Sequence, residues 1–269
     1  TGNAGRPAFQ EFGRVADTLL WQGWLNANYH SLQTTVNRRF RNGLFIKGAY
    51  TYSAAINFTD DDGWAGLPLT NYQPALQRNR ARAGFDIPHN FQIAGIYELP
   101  FGPGKAHLNQ GPMAKILGDW QLNVNVAAFS GRPFTVGAPG QSLNAPGSSQ
   151  TADQVKSDVQ KLGGIGPGQP FFDPTAFAAP TCTGCFGTTG RNILRGPRAF
   201  SSDLGLFKNF QVNERWLVQF KAEAFNWTNT PVFNNPSANV GVPASFMVIN
   251  STDGNQPERQ FRFGLRLQF

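Results

Sequence analysis

The chain has 269 residues, of which only 14% are charged, and no stretch approaches the roughly 18 uninterrupted apolar residues of a transmembrane helix. This share of charged residues is well below the roughly 25% of ordinary soluble domains, while the 30 glycines and 19 prolines suit many strands joined by turns. The net charge of +7 does not indicate nucleic-acid binding, because the basic residues are dispersed apart from Arg38, Arg39 and Arg41.

The N-terminal part of the sequence predicts a weak strand and then a clear hairpin. Residues 1–5 carry neither an initiator methionine nor the features of a signal peptide, so we expect a mature, trimmed or incomplete chain. The weak strand is predicted at 11–19. Residues 29–40 and 44–57 alternate between apolar and polar side chains, and the Asn-Gly pair between them is a strong hairpin signal.

Five later segments continue the same alternation with a period of two residues. They are 91–99, 120–126, 203–210, 216–224 and the closing segment 261–269, which ends on an aromatic residue. Together with the earlier segments they predict about eight strands of roughly 9–13 residues, the length that crosses a bilayer when tilted.

The links between these strands alternate between short and long. The shorter links are 20–28, 41–43, 100–118 and 211–214, and the longer ones are 58–87, 131–202 and 228–258. If the last strand ends in the periplasm, every shorter link falls on the periplasmic side and every long loop is extracellular, as in outer-membrane barrels.

The fold class that these patterns predict is all-β, with antiparallel transmembrane β-barrel strands and long extracellular loops in the bacterial outer membrane. A soluble β-sandwich or a lipocalin-like barrel would show the same alternation, with its apolar face turned inward. The strand lengths, the unequal links, the aromatic strand ends and the low charge favour the membrane barrel.

A membrane barrel gives the two strand faces different surroundings. The residues predicted to face the lumen are polar: Lys47, Gln92, Glu98, Gln121, Asn123, Asn125, Gln219, Lys221, Glu223, Arg262 and Arg266. The residues predicted to face lipid or to form an aromatic girdle are Trp120, Trp216, Phe220, Phe261, Phe263, Leu265, Leu267 and Phe269.

No motif in the sequence indicates catalysis, and we expect no enzyme activity, metal or cofactor. The two cysteines, Cys182 and Cys185, form one CxxC in the longest loop. A redox CxxC normally lies in a βαβ unit, and a zinc site needs about four ligands, neither of which is apparent here. A small disulfide within the loop is the favoured interpretation over a redox or metal role.

Several segments, taken in their order and spacing, carry a family resemblance from about residue 7 to the end. They are 28–33, 38–44, 49–53, 85–91, 97–102, 118–123, 130–134, 190–197, 206–210, 223–226 and 261–269. They resemble the C-terminal part of TonB-dependent outer-membrane receptors, of the Oar-like kind that often carries an N-terminal carboxypeptidase-regulatory-like domain.

The resemblance implies that residues 1–269 form the last third or so of a barrel of about 22 strands. It implies a plug and the remaining strands as intramolecular partners, and energised uptake through the TonB complex. The cargo would be a scarce large solute such as a metal chelate, an oligosaccharide or a peptide. The terminal Phe269 resembles the end signal that the outer-membrane assembly machinery recognises.

Two other functions remain open at this point. The long loops could bind a partner at the cell surface while the strands only anchor them. The chain could also be a self-contained small barrel with a structural role. Outer-membrane lipid is the expected surrounding in every case, and a nucleic-acid partner is not expected.

Overall fold

The computed structural model of the protein describes residues 7–16, 23, 25–60, 68–140, 143, 148–254 and 256–269. Its main strands are β1 (Asn28–Arg41), β2 (Leu44–Asn57), β3 (Ala81–Arg82), β4 (His89–Glu98), β5 (Trp120–Phe129), β10 (Ala199–Gln211), β11 (Leu217–Phe225) and β12 (Gln260–Gln268). Short strands between them are β6 (Pro133–Phe134), β7 (Asp153–Gln154), β8 (Phe177–Ala178) and β9 (Leu194–Arg195). The helices are α1 (Pro7–Phe12) and α2 (Pro112–Leu117), with 3-10 helices at Gln73–Asn79 and Pro174–Ala176.

The main strands form one antiparallel sheet in the order β1-β2-β4-β5-β10-β11-β12, and the short β3 pairs with the end of β2. The sheet has eight strands, of which seven correspond to predicted strands. The eighth, β3, lies in the segment 58–87 that is predicted to be a loop, and no described residue of the predicted strand 11–19 belongs to the sheet. Within the described part of the chain, β1 pairs only with β2 and β12 pairs only with β11. Over these residues the sheet therefore has two open edges and is not closed.

The predicted strand bounds hold best where a turn fixes them. The bounds 44–57 agree with β2, and the turn before it places Asn42 at φ 53° and Gly43 at φ 75°, the left-handed pair that a tight hairpin requires. The predicted strand 11–19 is wrong for its described part, because Glu11 and Phe12 belong to α1 and 13–16 form no strand. Residues 17–19 lie outside the described residues.

The long links at one end of the sheet fold into a packed unit. We call the described residues of 130–198 and 226–259 the loop body. Its hydrophobic core joins both links and consists of Phe134, Val136, Ala138, Ala152, Phe171, Phe172, Ala176, Phe177, Phe246, Met247 and Ile249. The long insertion also ends earlier than predicted, because residues 199–202 pair with β5 as the start of β10.

Candidate functional site

The register of the sheet sorts its residues into two faces, because directly paired residues point to the same side. One row of paired residues is apolar and runs across five strands: Phe263, Ala222, Leu206, Leu122 and Tyr97. The next row lies on the opposite face and runs through Arg262, Glu223, Gly205, Asn123 and Ile96. We call these the apolar face and the polar face.

The apolar face is largely uncovered. The strand residues predicted to face lipid share this face by register: Trp120, Phe220, Phe261, Phe263, Leu265 and Leu267. Phe263 and Leu265 keep 71% and 76% of their surface exposed. Trp216 and Phe269 flank β11 and β12, with their ring centroids 5.4 Å apart. Exposed apolar surface of this extent marks an interaction surface in a folded protein.

The polar face holds all eleven residues predicted to face the lumen. Several are hydrogen-bonded along this face: Gln121 Nε2 donates to Asn123 Oδ1 at 2.7 Å, and Lys105 Nζ lies 2.6 Å from Glu98 Oε2. Lys221 Nζ lies 5.1 Å from the centroid of the Phe207 ring. These contacts join residues of the same strand, of neighbouring strands or of an adjacent link, and they keep the face polar.

The sequence patterns did not anticipate the aromatic residues on the polar face. Phe45, Phe207 and Phe225 line a shallow cleft of about 280 Å³ together with Asn123, Asn125 and Glu223. The Arg262 guanidinium lies 5.8 Å from the Phe225 ring centroid, and Asn123 Nδ2 is buried without a hydrogen-bond partner. The sequence does carry a signal for one of them. Leu206 and Phe207 are adjacent apolar residues, which interrupts the alternation and places Phe207 on the polar face.

A larger cleft of about 700 Å³ lies where the strands meet the loop body. Its lining combines aromatic residues (Phe129, Phe200 and Phe233) with the polar side chains of Arg132 and Gln256. We call it the junction cleft. Aromatic surfaces with a few polar groups are the usual lining of small-molecule sites.

Two arginines of the 190–197 segment tie the loop body to the sheet. Arg191 is buried, donates from Nη1 to Asp60 Oδ2 at 2.9 Å and from Nε to the Asn79 carbonyl at 3.0 Å, and also contacts Asn57. Arg195 pairs with the buried carboxylate of Asp86. Charge-assisted hydrogen bonds of this kind are stronger than neutral ones, so they fix how the loop body sits on the sheet.

The surroundings of Asp60 favour its charged form. Burial works against ionisation, but hydrogen bonds from Asn57 and the Gly84 amide, with the charge of Arg191, hold the pKa of this carboxyl below its usual 3.8. On the loop body, the hydrogen bond from Lys156 and those from Thr175 lower the pKa of Asp173 to about 2. Both carboxylates are therefore ionised at neutral pH.

The CxxC lies on the loop body. Cys182 and Cys185 are joined as a disulfide, and the Cys185 carbonyl accepts a hydrogen bond of 2.9 Å from Gln150 Nε2. Over the described stretches, no three or more histidine, cysteine or acidic residues are grouped as metal ligands would be. No helix within those stretches has the length and apolar character to cross a membrane.

The comparison with known families agrees with the geometry of the sheet. Residues 1–262 match the model of the family described as outer membrane beta barrel domain. No match was found among curated protein sequences or among solved structures. The predictions of barrel strands and of an outer-membrane location are confirmed, whereas the match does not distinguish one kind of barrel protein from another. The chain belongs to the outer membrane β-barrel domain family and is a protein of the bacterial outer membrane.

Proposed function

We propose that the chain forms part of a TonB-dependent receptor of the Oar-like kind, which takes up a scarce large solute such as a metal chelate, an oligosaccharide or a peptide. The observation that supports this proposal most directly is the division of one sheet into two faces. One face is apolar and exposed, and the other is polar and rich in amide and charged side chains. A transport wall needs both, since lipid covers one side and the solute path or a plug occupies the other. We also propose that the chain has no enzymatic activity.

The proposal assigns the apolar face to lipid and the polar face to the barrel lumen. The short links 42–43 and 212–216 and the helix-containing link 99–119 then lie on the periplasmic side, and the loop body is extracellular. In this arrangement the junction cleft lies at the outer mouth of the lumen, where an incoming solute would first meet the strands.

The open edges of the sheet support a larger barrel. A strand edge facing hydrocarbon leaves backbone N–H and C=O groups unsatisfied, at a cost of several kcal/mol each. We therefore propose that further strands of the same protein pair with β1 and β12 and that a plug fills the lumen. The TonB complex would act through that plug, and the assembly machinery would recognise β12 with the Phe269 that follows it.

Binding to the energy-coupling protein tests the transport proposal without knowledge of the cargo. The full-length protein in detergent should bind the purified periplasmic domain of TonB from the same cell, and in a planar bilayer it should conduct little because the plug closes it. Absence of TonB binding together with an open-channel conductance would contradict the proposal.

A second candidate function is supported by the loop body itself. Its packed core and the Arg191 and Arg195 contacts give it a defined surface, which a protein that binds partners at the cell surface requires. If the strands only anchor this surface, the full-length protein would bind whole cells or matrix while showing no affinity for TonB. Measuring both kinds of binding on one preparation separates the two functions.

A further inference from the structure

The link between β4 and β5 carries a helix whose apolar residues point away from the protein. In α2, Met113, Ile116 and Leu117 are exposed, whereas Ala114 is buried. Positions three and four residues apart lie on one face of a helix. The exposed side of the helix therefore carries three large apolar residues, whereas the buried side carries only the small Ala114.

Contacts with the sheet place α2 beside the apolar face and not beside the polar face. Lys208 belongs to the apolar face by register, since it pairs with Trp120 and with Phe220. Its Nζ donates to the carbonyl oxygens of Lys115 and Ile116, both at 2.7 Å. Trp120 Nε1 donates to the same Ile116 carbonyl at 3.2 Å. The C-terminal turn of α2 is thus held against the apolar face, where β5 starts and β10 ends.

The charge of Lys208 is covered by this arrangement. The residue is only 2% exposed, and its Nζ lies 5.2 Å and 4.9 Å from the ring centroids of Trp120 and Phe210. Cations are favourable near the carbonyl end of a helix and over aromatic faces. The helix therefore shields a lysine that would otherwise stand uncovered on the apolar face.

The surface around α2 carries further exposed aromatic residues. Trp216, Phe210 and Phe269 are exposed near the same end of the neighbouring strands, while Lys115 is exposed on α2 itself. Exposed tryptophan and phenylalanine with an adjacent lysine is the composition that sits at the boundary between headgroups and acyl chains.

We propose that α2 is a membrane-interface anchor: a short helix lying outside the barrel wall, with Met113, Ile116 and Leu117 inserted among the lipids of the adjacent leaflet. This rests on the proposed assignment of the apolar face to lipid. The partner of the exposed side of α2 is the phospholipid boundary of the membrane. The reason is that this side is continuous with the apolar face, which the proposed function assigns to lipid.

Site-directed spin labelling of the full chain in phosphatidylethanolamine–phosphatidylglycerol vesicles tests the anchor. Single cysteines would replace Ile116, Val155 and Phe263, with the native disulfide kept oxidised. Ile116 and Val155 are apolar residues on different links with nearly the same exposed fraction, 60% and 58%, so Val155 is a matched control. Accessibility to oxygen and to a water-soluble nickel complex then gives the depth of each label.

We expect the label at 116 to lie about 5–10 Å below the headgroups, the label at 155 to be in water, and the label at 263 to be deeper than both. A fourth label replacing Lys115 should be shallower than the one at 116, because the two positions lie on different sides of the helix. Equal water accessibility at 116 and 155, with 263 still in lipid, would overturn the anchor alone. Water accessibility at 263 as well would overturn both the anchor and the face assignment.

Discussion

At the scale of single residues, Arg191 is one of the two arginines that connect the loop body to the sheet. Replacing it with alanine leaves the acceptors on Asn57, Asp60 and Asn79 without their donor. We expect the loop body to lose about 2 kcal/mol of stability, as is usual for hydrogen bonds to charged groups. The loss stays below that of a fully buried pair because the Asp60 carboxylate is 39% exposed and keeps its hydrogen bonds from Asn57 and the Gly84 amide. Hydrogen exchange of peptides from 148–190 measures this loss directly.

Arg198 provides the matched control for that change. It also lies in the loop body and carries the same charge, but it is exposed. Arg198→Ala should leave the exchange of these peptides within about 0.5 kcal/mol of the parent protein, as is usual for surface substitutions. Similar losses for both variants would contradict the role assigned to Arg191.

The pKa of Asp60 predicts how the same connection responds to acid. A carboxyl whose pKa is lowered in the folded state contributes stability that is present above its unfolded pKa of 3.8 and is lost as pH falls through the folded value. We therefore expect the protection of the loop body to be constant from neutral pH to about pH 4 and to fall below it. Exchange measured from pH 7 to pH 2.5 gives this profile.

The variant Asp60→Asn separates this carboxylate from the other acidic groups. It should show lower protection at neutral pH, because the charge that faces Arg191 is gone, and a shallower loss on acidification. An acid profile with the same slope as that of the parent protein would show that other groups cause the response.

At the scale of the element, β12 offers a direct comparison of the two faces. Phe263 lies on the apolar face and Gly264 is its neighbour on the polar face, where an added Cβ meets open space. Phe263→Arg should destabilise the membrane-inserted protein by about 2–4 kcal/mol, because a charge near the bilayer midplane is costly on the lipid side. Urea unfolding from lipid vesicles measures the difference.

Gly264→Arg introduces the same charge one residue further along the strand. If the polar face lines a lumen, this arginine remains hydrated and the unfolding free energy should change far less than in Phe263→Arg. A greater loss for Gly264→Arg would reverse the assignment of the faces.

The strand bounds show how far local sequence determines an element. The bounds of β2 followed from its alternation and from the Asn-Gly turn, which are both local features. The start of β10 did not, because Ser201 and Ser202 enter the sheet by pairing with Ala127 and Val126 of β5. The prediction for the described part of 11–19 also failed, because Glu11 and Phe12 belong to the helix α1.

At the scale of the whole molecule, the open edges predict additional pairing in the membrane. All fourteen residues of β1 are exposed, yet hydrocarbon would leave their outer backbone groups unsatisfied. We expect β1 and β12 of the full-length, membrane-inserted protein to exchange their amide hydrogens as slowly as the central strand β5. Hydrogen-exchange mass spectrometry in vesicles resolves these strands as separate peptides.

Fast exchange in β1 and β12 beside a protected β5 would indicate a sheet whose edges stay uncovered. Such edges pair readily with other chains. Sedimentation of the detergent-solubilised protein provides the independent check. Uncovered edges should pair between molecules, so the protein should associate as its concentration is raised.

The sequence by itself determined the antiparallel strands, the division of their side chains into two faces and the alternation of short and long links, because periodicity and turn residues act over a few neighbouring positions. Tertiary structure decided what depends on distant partners. It brought Arg191 to Asp60, folded two long links around one hydrophobic core, and set the α2 carbonyls over Lys208 on the apolar face. These contacts join residues far apart in the chain, so no local pattern encodes them.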